Sequence, residues 1–395
     1  MSKIKNLKKI DVKNKRVLVR VDFDVPIDEE GTIVDNSRIK GCLSTIEYLI
    51  KQKTKVILIS HLGRPAYAEA STGKPAGKDK KLSLKPIAEE LGRLLNQEIL
   101  FSTDVCGKRV EDRVKKMKLG EILLLENIRF WKEEEENSLE FAEKIAKLGD
   151  IYINEAFAVS HREHASVVGV PKLLPSAMGF LLEKEIQELN KILKNPEKPL
   201  VAIIGGAKME TKIKVINKFL KIADKVLIGG ALANTVFVSQ GIGMGESKID
   251  KESFGEIKKI NLENPKLFLP IDLGIWDGKE VLYKDVMSLQ WFEKALDIGP
   301  KTIHLFNDII LKSKTVVWNG PLGLTAQKPF DVASKELIEA IDKSGAYAIV
   351  GGGDTNAFIN ENNKEKVFDW MSAGGGAMLD YLSEGTLPGI EALRK

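Results

Sequence analysis

Val201-Ala202-Ile203-Ile204-Gly205-Gly206-Ala207-Lys208 is a short apolar β run that gives way to glycines and then to a helical pattern. The succession returns where Ala348-Ile349-Val350 precedes Gly351-Gly352-Gly353-Asp354-Thr355, and a third cluster, Gly374-Gly375-Gly376, stands before the helical stretch 377–382. Backbone N–H groups at a helix start bind phosphate oxygens, and glycine lets a ligand approach the backbone closely. In the GGAK stretch the spacing predicts Lys208 and Lys212 on one helix face, one turn apart. The first half carries the counterpart: Arg38, His61, Arg64, Arg129 and Arg162 follow its own β-rich runs. Guanidinium groups grip small anions bidentately. The second half therefore reads as a nucleotide site and the first as a site for a small anion, a layout suited to phosphoryl transfer.

Working outward, helix-period segments alternate with short β runs along all 395 residues, which predicts two α/β domains of doubly wound type. In such folds ligands sit beyond the carboxyl ends of the strands, where nearly all of these polar residues fall. Expected strands include VLVRVDFD, KVILIS, EILLLEN, IYINEAF, VAIIGG, KVLIGG, KLFLP, TVVWNGP and AYAIVGGG. Ser37 is expected to cap a helix, and 66–81, rich in Ala, Gly, Lys and Ser, to form a mobile surface loop. Apolar spacing from Leu181 to Leu193 predicts a helix ending before Asn195-Pro196, and the domain connection falls there. The expected division is 1–178, a linker helix at 179–194, and 195–378. Glu133 to Glu136 reads as a solvated helix start.

Composition removes several function classes. The net charge is only +4, and no basic, aromatic-interleaved motif suggests nucleic acid. No apolar run approaches ~18 residues and the basic N-terminus has no apolar core, so the expectation is a soluble cytoplasmic protein without a membrane partner. Cys42 and Cys106 form no framework, and His61, His161, His164 and His304 have no metal-ligand spacing. Gly241-Ile242-Gly243-Met244-Gly245 follows a helical pattern rather than a strand and is discounted as a dinucleotide loop. GxxxxGK[ST], HRD and DFG are absent, which excludes P-loop and protein kinases. A carboxylate acceptor is already ionised at neutral pH and needs no general base. Transfer to it requires cations and donors around the migrating group, for which Lys208, Lys212, Arg38 and the Gly374–Gly376 amides are candidates, with Asp354 for a metal on the nucleotide.

These stretches resemble the phosphoglycerate kinase family over essentially the whole chain. RVDFDVP, SHLGRP, LLENIRF, NEAFAVSHREHAS, GGAKMETK, DIGPKT, VVWNGPLG, GGGDT, SAGGGAMLDYL and LPGIEAL occur in that family's order. The resemblance implies two Rossmann-like doubly wound parallel-sheet domains joined by a helix hinge, with 379–395 packing back on the N-terminal domain. It implies a monomer that moves a phosphoryl group between ATP/ADP and the carboxyl group of 3-phosphoglycerate on domain closure, with Mg2+ on the nucleotide. By motif, Asp22, Phe23, Asp24, Arg38, His61, Leu62, Gly63, Arg64, Arg129 and Arg162 would hold 3-phosphoglycerate. Gly206, Lys208, Lys212, Gly230, Asn319, Pro321, Gly352, Gly353 and Thr355 would hold the nucleotide, and Asp354 the metal. Arg38, Lys208, Lys212 and Gly375 would follow the transferring group. Two positions depart from the pattern. Asp24 stands where the family has asparagine, and Ala326 stands where it has a glutamate for the ribose. The alternatives are a kinase for another small carboxylate and a noncatalytic nucleotide-binding relative.

Overall fold

The computed structural model describes residues 4–28, 30–65 and 80–394. Most of the loop expected at 66–81 lies outside the described residues; its end, Lys80–Leu82, is a 3-10 turn. Two compact units divide the chain, one comprising Met1–Ile186 with Thr386–Lys395, the other Gln187–Gly385.

In the first unit, β1 (Arg16–Arg20), β2 (Lys55–Ile59), β3 (Ile99–Ser102), β4 (Ile122–Leu125), β5 (Ile151–Asn154) and β6 (Ser176–Met178) form one sheet in the order β3-β4-β2-β1-β5-β6. All pairs are parallel, with Val19 beside both Leu58 and Ile153. Strands covered on both faces read as continuous apolar runs, and Ile122–Leu125 and Ile151–Asn154 are buried throughout. The helix Ser37–Lys51 presents Ile39, Cys42, Ile46 and Leu49 at helical spacing to the core. Each fully buried Ile or Leu contributes roughly 1.5–3 kcal/mol. Ser37 begins this helix rather than capping it: its N–H and Oγ donate to Asp35 at 2.8 and 2.9 Å.

The second unit repeats the plan. Here β7 (Leu200–Ile204), β8 (Lys225–Ile228), β9 (Leu267–Phe268), β13 (Thr315–Asn319), β14 (Tyr347–Gly351) and β15 (Trp370–Ser372) form a parallel sheet in the order β15-β14-β13-β7-β8-β9. A separate antiparallel sheet, β10 (Asp272–Trp276), β11 (Val281–Asp285) and β12 (Lys294–Ile298), was not expected from the sequence. Its β11 carries the mixed burial of a half-solvated ribbon, which weakens any apolar signal.

In each parallel sheet the chain winds one way from β1 or β7 and later the other way, so the order reverses between β1 and β5 and between β7 and β13. Crevices at the carboxyl ends open at such reversals. The helix Phe180–Lys194 begins in the first unit and ends in the second, dividing after Ile186. Residues 379–384, expected to pack back on the first unit, instead complete the helix Gly375–Glu384 of the second, and the chain rejoins the first unit at Thr386. There Gly389 donates to Ser160 O at 2.8 Å.

Candidate active site

At the carboxyl edge of the first sheet, β1 runs directly into Asp22, Phe23 and Asp24. Phe23 is fully buried and its N–H donates to Ser60 Oγ at 2.9 Å, tying the end of β1 to the end of β2. Asp24 Oδ1 accepts from Gly63 N at 2.8 Å, which fixes the turn His61-Leu62-Gly63-Arg64. Arg38 lies in the first turn of the helix Ser37–Lys51, not directly after a strand, and its Nη1 donates to Asp22 Oδ2 at 2.6 Å. Arg129 sits in the short helix Ile128–Phe130 that follows β4, is buried, and donates to Gly63 O at 2.8 Å. Arg162 is half-buried after the turn that follows β5, and Arg64 is exposed.

The electrostatics of this basin are those of an anion site. Burial, reinforced by Arg20, Arg129 and Arg38, pushes His61 well below its ordinary value. Burial and Arg162 lower His161 to about 4, and burial with Arg129 and Arg20 lowers His164 to about 3. The three histidines are therefore neutral at pH 7, and the positive charge belongs to the guanidiniums. Burial raises Asp22 despite the opposing pull of Arg38. His161 Nδ1 and His164 Nδ1 are buried without a hydrogen-bond partner.

Three residues have places in the structure that the sequence reading did not assign to them. Arg20, fully buried in β1, donates to Ser166 Oγ at 2.8 Å and approaches His61 Nδ1 at 3.3 Å. Its signal was a single charge inside an apolar strand. Glu134, expected to be solvated, is fully buried and accepts from Ser166 Oγ and N at 2.6 and 2.8 Å. Glu155, buried after β5, accepts from Thr45 Oγ1 at 2.6 Å and from Leu181 and Leu182 N–H at 3.0 and 3.3 Å.

In the second unit the glycine turns meet around one lysine. Gly205 N donates to Asn319 O at 2.9 Å, Gly206 N to Pro321 O at 2.8 Å, and Leu232 N to Gly206 O at 2.9 Å. Asn319 Nδ2 is engaged with Gly351 O at 2.7 Å, and Thr355 Oγ1 accepts from Gly320 N at 3.0 Å. Gly320 has φ +87° and a Cβ there would lie 2.4 Å from Gly205 O, so only glycine fits. A Cβ on Gly375 would lie 2.8 Å from Gly352 Cα, so the turns before the helices Gly353–Glu361 and Gly375–Glu384 touch through backbone. Gly230 opens the helix Gly230–Ser239, next to Gly206.

Lys212 is buried, and its ammonium donates to Gly205 O. Burial lowers it to about 8 while the Asp354 carboxylate partly restores it. The expected pairing of Lys208 and Lys212 on one helix face does not occur. Helix Ile213–Ile222 begins only after Lys212, and Lys208 is exposed in the preceding turn. Gly206 turns the chain out of the strand at φ +85°, and the residues after it form turns, with Lys212 N donating to Met209 O at 2.8 Å, before the helix begins. As expected, Gly241–Gly245 follows a helix.

Two parallel-sheet units, one carrying a guanidinium basin and the other a ring of glycine turns around a buried lysine, define an α/β enzyme of the small-molecule kinase class. The comparisons with known proteins agree with that class. The family model "Phosphoglycerate kinase" matches residues 7–385. A phosphoglycerate kinase of Finegoldia magna is 44% identical, with 98% of each chain covered, and one of Aquifex aeolicus is 42% identical at the same coverage. The structure of phosphoglycerate kinase from Coxiella burnetii superposes with TM-score 0.82 at 34% identity, covering 99% of this chain and 98% of that one. The corresponding structure from Pyrococcus horikoshii gives 0.84 at 31% identity, with the same coverage. The chain belongs to the phosphoglycerate kinase family.

Proposed function

We propose that this enzyme transfers a phosphoryl group between ATP and the carboxylate of 3-phosphoglycerate, the first unit holding the acid and the second the nucleotide. The observation that carries the reading is the division of charge: the guanidinium basin stands at the reversal of one sheet, the glycine ring with Lys212 at the reversal of the other. Arg38, Arg64, Arg129 and Arg162 grip the carboxylate and phosphate of the acid, beside Asp22, Phe23, Asp24, His61, Leu62 and Gly63. Gly206, Lys208, Gly230, Asn319, Pro321, Gly352, Gly353 and Thr355 border the nucleotide. Asn319 and Thr355 act there by shaping the backbone, since their side chains are already bonded to it.

The acceptor carboxylate is ionised at neutral pH, so no residue need remove a proton. What the chain supplies is charge and donors aimed at the migrating group. Lys212 and Arg38 follow it, and the Gly375 amide meets its oxygens from a helix start. Asp354 is exposed in the first turn of the helix Gly353–Glu361. Among the described residues no group of three or more His, Cys, Asp or Glu is placed to hold a metal. A single carboxylate suits Mg2+, which keeps several waters and is held by one or two carboxylates plus substrate phosphates. Asp354 would hold such an ion, which would supply positive charge against that of the nucleotide phosphates. Ala326 is exposed and offers the ribose no polar side chain. We place the enzyme in the cytoplasm as a monomer, the latter checked by sedimentation.

Asp24 favours a second reading, a kinase for a differently substituted acid, because its carboxylate adds negative charge to an anion site. A coupled assay with ATP and 3-phosphoglycerate beside a panel of other carboxylic acids separates the two. Turnover with 3-phosphoglycerate well above the rest supports the first reading; turnover confined to another acid replaces it with the second.

A further inference from the structure

We propose that buried Arg20 is a positioning residue: it holds His61 as the neutral tautomer protonated at Nε2, so that this N–H is presented to an incoming anionic oxygen. The inference rests on the reading that the first unit takes the anionic acid, and it concerns how one donor of that site is prepared.

A guanidinium carries five N–H donors and no acceptor. Arg20 Nη2 lies 3.3 Å from His61 Nδ1, so Nδ1 must offer its lone pair. The competing arrangement, an Nδ1–H donating to Asp22, fails on distance, because Asp22 Oδ1 is 3.8 Å away. Asp22 is moreover bonded through Oδ2 to Arg38. In a neutral imidazole one nitrogen accepts and the other carries the proton, which leaves the proton on Nε2. Burial and the surrounding cations keep the ring neutral.

The Nε2–H faces Asp24 Oδ2 at 3.6 Å, too far for a hydrogen bond. Asp24 is held elsewhere, through Oδ1 and Gly63 N. The donor is therefore oriented and uncommitted. Arg20 can perform this task because it is itself immobilised: its Nε donates to Ser166 Oγ, Nη1 to Val21 O, and Ser166 in turn donates twice to buried Glu134. A line of fixed dipoles thus runs from Glu134 through Ser166 and Arg20 to His61. A neutral donor held this way recognises an anion without placing another buried cation beside Arg20, Arg38 and Arg129.

The test is made on the full-length protein without ligand near pH 7. With only four histidines in the chain, long-range 1H–15N correlations are assigned to His61 by comparison with His61→Gln. The expected result is a pyrrole-type shift at the nitrogen that correlates with both ring-carbon protons, which is Nε2. A pyrrole-type Nδ1, or an imidazolium, overturns the proposal. In Arg20→Lys, one ammonium cannot serve both Ser166 and His61. A mixture of tautomers and about a tenfold rise in KM for 3-phosphoglycerate are expected, with KM for ATP unchanged. In a His61→Ala background the same substitution should add nothing; an equal further loss would show that Arg20 only supports the fold and would sink the positioning role. Should Arg20→Lys fail to fold, Ser166→Ala and the wild-type spectrum carry the same test. Inactivity toward 3-phosphoglycerate would remove the proposed substrate without touching the tautomer, so the two failures are distinguishable.

Discussion

At the residue scale, Asp24 and Lys212 carry the sharpest consequences. Asp24 uses one oxygen to hold Gly63 N–H and leaves the other half-exposed near His61 Nε2, so it orders the substrate turn while opposing an anion. In Asp24→Asn the amide oxygen can keep the Gly63 bond and the amide nitrogen adds a donor. KM for 3-phosphoglycerate should fall about tenfold, equivalent to ~1.4 kcal/mol, most visibly at low ionic strength, with KM for ATP unchanged. A rise in that KM would instead mark Asp24 as an adaptation to a different acid. Lys212→Ala should remove about 3 kcal/mol from the transition state and lower kcat by ~10²-fold while ground-state nucleotide affinity changes little. Unchanged kcat with a raised KM would demote it to a binding residue. Its folded value of about 8 adds a pH signature. The ammonium is lost as pH rises through 8, so kcat/KM for the nucleotide, which reports the free enzyme, should decline above that pH. A profile flat to pH 10 would contradict the burial that lowers it.

At the element scale, Glu155 joins β5 to the start of the helix that passes from one unit to the other. Its carboxylate takes Leu181 and Leu182 N–H, two of the donors a helix start leaves unpaired. A Cβ on Gly179 would fall 2.0 Å from Glu155 Oε2, so glycine is required for the approach. Burial raises Glu155 to about 7, against an ordinary value of 4.5. The folded form therefore binds the proton more tightly than the unfolded form, and stability is greatest below pH ~4.5 for this group and declines as pH rises from there to ~7. The decline amounts to at most about 3 kcal/mol by the linkage relation. Hydrogen exchange at Leu181 and Leu182 should accelerate, beyond the intrinsic base-catalysed rate, between pH 5 and 7.5 in wild type and not in Glu155→Gln. Identical protection ratios in both proteins would rule Glu155 out as the titrating group.

At the scale of the whole molecule, the proposed acid and nucleotide belong to different units, so direct transfer requires them to be brought within in-line reach. Small-angle scattering should show a smaller radius of gyration with both ligands than with either alone. An active enzyme whose radius is the same in all states would remove closure from the mechanism. Arg64→Ala and Arg162→Ala should weaken 3-phosphoglycerate and spare ATP in separate calorimetric titrations; the opposite pattern would reverse the assignment of units.

Several features of this molecule were legible in its sequence because they are local. Apolar runs such as Leu200–Ile204 and Tyr347–Gly351, each ending in glycine, specify strands and their turns by backbone chemistry alone, and the order of those runs specifies an α/β chain of two units. Many of the residues proposed for the two sites, such as Asp22, His61, Gly205 and Gly352, stand just past strand ends and could be singled out on that ground, whereas Arg38 stands in a helix. Tertiary structure decided what depends on partners far along the chain. Glu134 looks solvated beside Glu133 and Glu135 until Ser166, 32 residues away, buries it. Lys208 and Lys212 look like a helical pair, but the chain makes turns through this stretch and the helix starts only at Ile213, past both. Arg20 looks like an odd charge in a strand until β1 and β2 pair and set it against His61. Spacing along the chain predicts which backbone a residue occupies; desolvation and the identity of a distant hydrogen-bond partner arise only when the sheets assemble, and these decide which charges are buried, which are neutral and which remain free to meet a ligand.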